Sequence, residues 1–282
     1  MLRSQPRRAL TFVFACLVIL AAAPAAALAT TQTATSGDVT ATFSFSATSQ
    51  NTYPAKTLTI SRAGVVVYNE PVTSRYCGPT GATQEYCAPG APEANQSSVH
   101  VVDLENDGEP DVIVDLYTGG AHCCSVEQIF SFDAVTGTYV LTQHDFEDPG
   151  EEIKDLGHNG QYEFLTADDS FAYAFTDYAD SGLPIEILAF ASGRFTNVTR
   201  QYPKLIAKDA AAYLKYFKHD LGDGEGLIAA WAADEDNLGH RKLVASTLAK
   251  YLKAGDLRGG FSSPKSFIKA LNKLLHHDGY LR

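Results

Sequence analysis

Apolar and polar residues alternate through the first two thirds of the chain and fall at helical spacing in the last third. Residues 39–48 (VTATFSFSAT), 56–62 (KTLTISR) and 65–72 (VVVYNEPV) are β-branched and aromatic runs bounded by Gly, Asn, Pro or Ser. That pattern predicts strands. Val99, Val101, Val112 and Val114 continue it on both sides of an acidic stretch, with Ile113 and Asp115 between. From 203 onward the period changes. Ala210, Tyr213, Leu214 and Phe217 form one helical stripe, residues 227–231 a second, and Val244, Leu248, Tyr251 and Leu252 a third that stops at Gly255. Ser263-Pro264 opens a fourth stripe, Phe267, Ile268, Leu271, Leu274 and Leu275, with Gly279 beyond its end.

Composition adds an address. Arg3, Arg7 and Arg8 precede an apolar run over 9–23, and Ala27-Leu28-Ala29 then gives way to a Thr-rich stretch, so residues 1–29 are expected to be a secretory signal peptide. The run is shorter than the roughly 18 residues that a membrane span prefers, and Cys16 is expected to leave with the leader. Net charge is −11, and losing three arginines takes it to −14. An acidic chain of this kind argues against nucleic-acid binding. Residues 241–282 run the other way, with nine Lys or Arg against two Asp, and are expected to dock on the acidic body or to be solvated.

The densest chemistry lies between the valine runs. Asp103, Glu105, Asp107 and Asp111 stand at positions 1, 3, 5 and 9 of a loop with Gly108 at position 6 and Glu109, through its carbonyl, at position 7. A hard cation such as Ca2+ takes about six to eight oxygens, which alternate side chains of a tightly curled loop supply. Glycine meets the positive φ that the turn demands. Position 12 is Val114 and the flanks are strand-like, so the loop joins two strands and not the two helices of an EF-hand. An acidic hairpin tip facing solvent is the alternative.

The loop recurs. DLENDGEPDVIV from Asp103 aligns with DLGHNGQYEFLT from Asp155 at an offset of 52, and residues 129–140 are echoed by 187–198. Each unit reads as about four short strands, a period associated with propeller blades. In the second loop Gly157 replaces an acid, and Asp155, Asn159 and Glu163 offer fewer charges, so weaker binding or a plain hydrogen-bonded turn is expected. Over about residues 99–200 these motifs resemble the FG-GAP/VCBS-type calcium repeats of integrin α-chain propellers and secreted bacterial proteins. The resemblance implies strand-loop-strand calcium sites and an extracellular binding role. Within residues 99–200 the Phe-Gly and Gly-Ala-Pro phrases of that family are absent, and two units do not close a propeller.

Cys77, Cys87, Cys123 and Cys124 remain after leader removal. In an oxidising compartment they are expected to pair, as Cys77–Cys87 with a vicinal Cys123–Cys124 bond or as two cross-links between the Cys loop and the 119–124 turn. His122 beside the sulfurs opens a soft-metal or redox alternative. Asp168 and Asp169 open another, a secreted hydrolase using paired carboxylates, although neighbours on a strand face opposite ways. GxSxG, HExxH and GxxxxGK patterns are absent, and the Gly222–Gly226 run is expected to link two helices. The aromatics at 171, 173, 175 and 178 are expected in core and sheet surface.

The sequence therefore predicts an α+β protein with an antiparallel, propeller-blade-like β-repeat body and a C-terminal helical subdomain. Its segments are 1–29 signal peptide, 30–98 N-terminal β region with the Cys loop, 99–200 two β repeats and 201–282 helices. The expected role is a secreted, calcium-binding, non-catalytic binding or structural module. Its partner would be an extracellular protein or cell-surface polymer, with no nucleic acid and no membrane span.

Overall fold

A computed structural model describes residues 28–48, 50–77, 86–90, 97–120, 122–219, 224–257 and 263–281. Residues 1–27 of the expected signal peptide (1–29) and most of the loop between Cys77 and Cys87 lie outside them. Among the described residues three antiparallel sheets are followed by four α-helices.

The first sheet is a meander of β1 (Leu28–Ser36), β2 (Val39–Ala47), β3 (Ala55–Arg62) and β4 (Val65–Pro71). The second contains β5 (Ala88–Pro89), β6 (Val99–Val102), β7 (Asp111–Gly120), β8 (Cys123–Asp133) and β9 (Thr138–Glu147), with β5 and β6 both paired to β7. The third is β10 (Glu152–Lys154), β11 (Glu163–Ala167), β12 (Ile185–Ala191) and β13 (Arg194–Asn197) in sequence order.

Side-chain alternation explains how these sheets stack. On β7, Val112, Val114 and Leu116 share one face and meet Val39, Ala41, Phe43, Leu58 and Ile60 of the first sheet. Ile113 and Ile129 point the other way, into Leu104 of the loop before β7 and Phe164, Leu188 and Phe190 of the third sheet. The second sheet is thus covered on both faces, which is why residues 111–114 are all buried and the strand reads as an apolar run. The architecture is the α+β arrangement expected from the sequence, with a row of packed sheets as its body.

The helices are α1 (Pro203–His219), α2 (Glu225–Asn237), α3 (Arg241–Ala254) and α4 (Pro264–His277). Helix α2 is central: residues 228–234 are buried, and Trp231 packs among Val244, Leu248, Phe267 and Leu271. The Ser263 hydroxyl accepts the Ser266 N–H and Pro264 occupies the first turn, so α4 begins where its capping residues direct. The basic end is largely solvated, with Lys242, Lys250, Lys253, Lys265, Lys269 and Lys273 exposed. Residues 168–184 depart from the β expectation. They run irregularly from a 3-10 turn at Asp169–Phe171, and Phe171 and Phe175 are buried in the helical core instead of a sheet. Tyr173 is exposed.

Candidate functional site: the paired acidic loops

Loop 103–110 joins β6 to β7, and loop 155–162 joins β10 to β11. Both are built by the same bonds. The Asp103 carboxylate accepts the Asp107 N–H at 3.1 Å and the Gly108 N–H at 2.8 Å. Asp155 accepts from Asn159 and Gly160, each at 3.0 Å. Asp107 Oδ1 then accepts the Glu109 N–H at 2.9 Å, as Asn159 Oδ1 accepts the Gln161 N–H at 3.0 Å. Each ring closes on the following strand, where Asp111 accepts the Leu104 N–H at 3.2 Å and Glu163 the Leu156 N–H at 3.0 Å. Backbone geometry matches as well: φ is 57° at Asn106 and 89° at Gly108, and 52° at His158 and 86° at Gly160. Asn and Gly tolerate this left-handed region at lower cost than other residues.

The loops also touch. Asn106 Nδ2 donates to the Asn159 carbonyl at 3.0 Å, Gln161 Nε2 to the Glu105 carbonyl at 3.3 Å, and the Tyr162 N–H to the Leu104 carbonyl at 3.0 Å. Through them the second sheet is fastened to the third at their loop ends.

The remaining acids of the first loop have partners elsewhere. Glu105 accepts the Ser192 N–H at 2.9 Å, from the β12–β13 turn. Glu109 pairs with Arg62 of the first sheet at 2.6 Å, and that guanidinium lies 4.1 Å from the Phe132 ring centroid. Asp111 is 4 % exposed and also accepts the Ser131 hydroxyl at 2.6 Å. Burial pushes its carboxyl up to about 6, with Glu105 and Asp107 adding to the rise and the Ser131 and Leu104 donors opposing it.

Among the described residues no group of three or more His, Cys, Asp or Glu side chains is gathered as a metal cluster. The carboxylates at 103, 105, 107, 109 and 111 serve hydrogen bonds and an ion pair in this arrangement. A carboxylate oxygen that accepts one N–H keeps a second lone pair, so Asp103 and Asp107 retain ligand capacity. Glu105 and Asp111 would have to exchange partners to join them, whereas Glu109 would join through its backbone carbonyl.

The other candidates fall at three separate places. Cys77 and Cys87 form a disulfide with Cα atoms 5.6 Å apart, buried against the core between the first and second sheets. Cys124 is also disulfide-bonded. The side chain of Cys123 lies outside the described residues, and so does the expected vicinal bond. An oxidised Cys124 has no thiolate to offer a soft metal. His122 instead faces the Tyr178 ring, with centroids 4.0 Å apart, and its Nδ1 is 3.9 Å from Asp148.

Asp168 and Asp169 diverge. Asp168 caps the 3-10 turn through the Ser170 N–H at 3.0 Å and accepts the Tyr280 hydroxyl at 2.7 Å, whereas Asp169 faces Glu147. Asp168 lines a polar cleft of about 410 Å³ with Glu186, Asn197, Arg200, Asp278 and Tyr280. Its groups satisfy one another: Asn197 donates to Glu186 at 2.8 Å, Ser170 to Asp278 at 3.0 Å, and Arg200 to the Gly279 and Tyr280 carbonyls at 2.8 and 3.1 Å. The cleft is a seam that holds the C-terminal residues to the third sheet.

Sequence reasoning missed Arg62, Ser131 and Ser192 as partners of the loop acids. Their separations of 47, 20 and 87 residues from Glu109, Asp111 and Glu105 leave no local pattern to read.

No family model matches the chain, and no solved structure matches it. A probable thylakoid lumen protein from Synechocystis sp. is 24 % identical over 172 residues, which cover 54 % of this chain and 47 % of the relative. An uncharacterized protein from Sinorhizobium fredii is 25 % identical over 144 residues, covering 46 % of this chain and 21 % of the relative. The chain spans less than half the length of each of these curated relatives.

Proposed function

We propose that this chain is a secreted or lumenal, non-catalytic β-repeat protein whose paired acidic loops form a calcium-responsive seam, and that it serves as a binding or structural module. The observation that carries the reading is the identity of the two hydrogen-bonded loops and their contact through Asn106 and Asn159. Such an arrangement fixes sheets against each other and does not prepare a reacting atom. Three further observations agree with it. Cys77–Cys87 suits an oxidising compartment. One relative is named for a lumen. Among the described residues no helix is long and apolar enough to cross a membrane.

In this reading calcium is held at Asp103 and Asp107, with Glu105, Asp111 and the Glu109 carbonyl completing the set, and more weakly at Asp155, Asn159 and Glu163. The resemblance to FG-GAP/VCBS repeats and the loop spacing support it. An extracellular protein or a cell-surface polymer is the class of partner. Thermal melting in millimolar calcium against EGTA tests the proposal, because a ligand that binds only the folded form raises Tm. A rise that Asp103→Asn removes is the expected result. Equal melting points in the two buffers would leave the loops as hydrogen-bonded turns and defeat the calcium reading.

A further inference from the structure

Away from the loops, two buried carboxyls each face a half-buried one: Glu127 faces Glu151, and Asp234 faces Asp209. Glu127 on β8 is 2 % exposed and lies against Glu151, in the link between β9 and β10, and against Asp115, directly opposite on β7. Asp234 on α2 is fully buried and lies against Asp209 on α1. Glu127 Oε2, Glu151 Oε2 and both oxygens of Asp234 find no donor among the described residues. Buried acceptors without donors are rare in folded proteins, and two ionised carboxylates in contact away from water repel strongly. One proton relieves the repulsion in each pair and gives one of these oxygens a partner, since a protonated carboxyl donates an O–H to its neighbour.

Each pair sits at a joint. Glu151 belongs to the passage from the second sheet to the third. Asp209 also accepts the Ile185 N–H at 3.1 Å, so its pair ties α1 and α2 to the start of β12. We infer that Glu127–Glu151 and Asp209–Asp234 each hold one shared proton in the folded protein and act as proton-gated clasps at these two joints. Below neutral pH the proton closes the clasp. As pH rises the proton leaves, two carboxylates are confined in one site, and the joint weakens.

Surrounding groups leave that sign unchanged. Asp115 and Glu151 face Glu127, and His100 on β6 stands behind them, bonded to Asp115 at 3.0 Å. Asp209 and Glu235 face Asp234, with Tyr213 and Tyr280 nearby, and Lys208 is the cation beside Asp209. Burial is the largest influence on both Glu127 and Asp234 and raises each, with the adjacent carboxylates adding to it. Because the folded form then binds more protons than the unfolded chain, stability falls as pH climbs above the ordinary carboxylate range.

Melting of the purified protein between pH 5 and pH 9 tests the inference, beside Glu127→Gln, Asp234→Asn and the double variant. An amide supplies the missing N–H at any pH in the same volume. Wild-type Tm is expected to fall across this range. Each substitution should flatten the fall, raising Tm at pH 9 by roughly 2–4 °C for each kcal/mol of repulsion removed. Infrared spectra of the wild type at neutral pH give a second readout, independent of how the variants fold: the free-acid carbonyl band, lost on unfolding. Absence of that band, or an undiminished fall of Tm in the double variant, overturns the inference. So does recovery of wild-type Tm at pH 9 by millimolar calcium or magnesium, which would make the pairs cation sites.

Discussion

Asn106 donates its side-chain N–H to the carbonyl of Asn159 at 3.0 Å, and the two residues lie at neighbouring positions of loops that share one hydrogen-bond pattern. The tip of one hairpin thus grips the backbone of its copy. Gly160, beside Asn159, has φ of 86°, and a Cβ placed there would lie 2.8 Å from Asn106 Nδ2. Gly108 has nearly the same φ but open space around it.

This pair of glycines separates strain from contact. Gly108→Ala meets only the backbone penalty, about 1 kcal/mol. Gly160→Ala carries the same penalty and also displaces Asn106, so its loss is expected to be larger, on the order of 2–3 kcal/mol. Denaturant unfolding of both variants checks this. Equal losses would mean that the Asn106 contact contributes nothing to joining the sheets.

His100 provides a local pH reporter. Its hydrogen bond to Asp115 raises the imidazole above its ordinary value, against the opposing effect of burial. A folded pKa above the unfolded one contributes stability that is present in full below the unfolded value and is lost as pH rises through the folded value. An NMR titration should therefore place the His100 midpoint above about 6.5. Asp115→Asn should bring it down. With the imidazole substantially solvated, the accompanying change in stability is small.

Reduction reports on the N-terminal half. Cys77 and Cys87 close a short loop beneath the first and second sheets. By loop entropy their replacement with Ser costs about 2–3 kcal/mol. Melting of the double-serine variant is expected to drop accordingly, whereas an unchanged Tm would show that packing of the two sheets alone holds this segment.

Much of this was legible in the chain. Valine alternation on both sides of residues 103–111 placed the loop between strands, and the offset of 52 pointed to a second loop with the same hydrogen-bond pattern. The Ser263-Pro264 start and the Gly255 stop are the observed ends of α4 and α3, because capping is a local interaction. Phe171 and Phe175 are core residues as expected, but the core they join is that of the helices, because an irregular segment has no period that declares its destination. The carboxyl pairs left a signal that went unread. Asp234 follows Leu227 and Trp231 on the same helical stripe, and Glu127 shares a strand face with Ile129 on β8. An acid on a buried face implies a partner, but the partner is set by tertiary packing.

The middle sheet has a consequence for how the chain is delivered. Phe43, Leu58 and Ile60 are finished before the residues that shield them, Val112 to Phe130, have been synthesised. A nascent chain therefore carries a greasy, uncovered surface for some fifty residues of elongation. Any stall between residues 62 and 112 leaves that surface open to its neighbours, so faithful maturation of this protein depends on uninterrupted arrival of its centre.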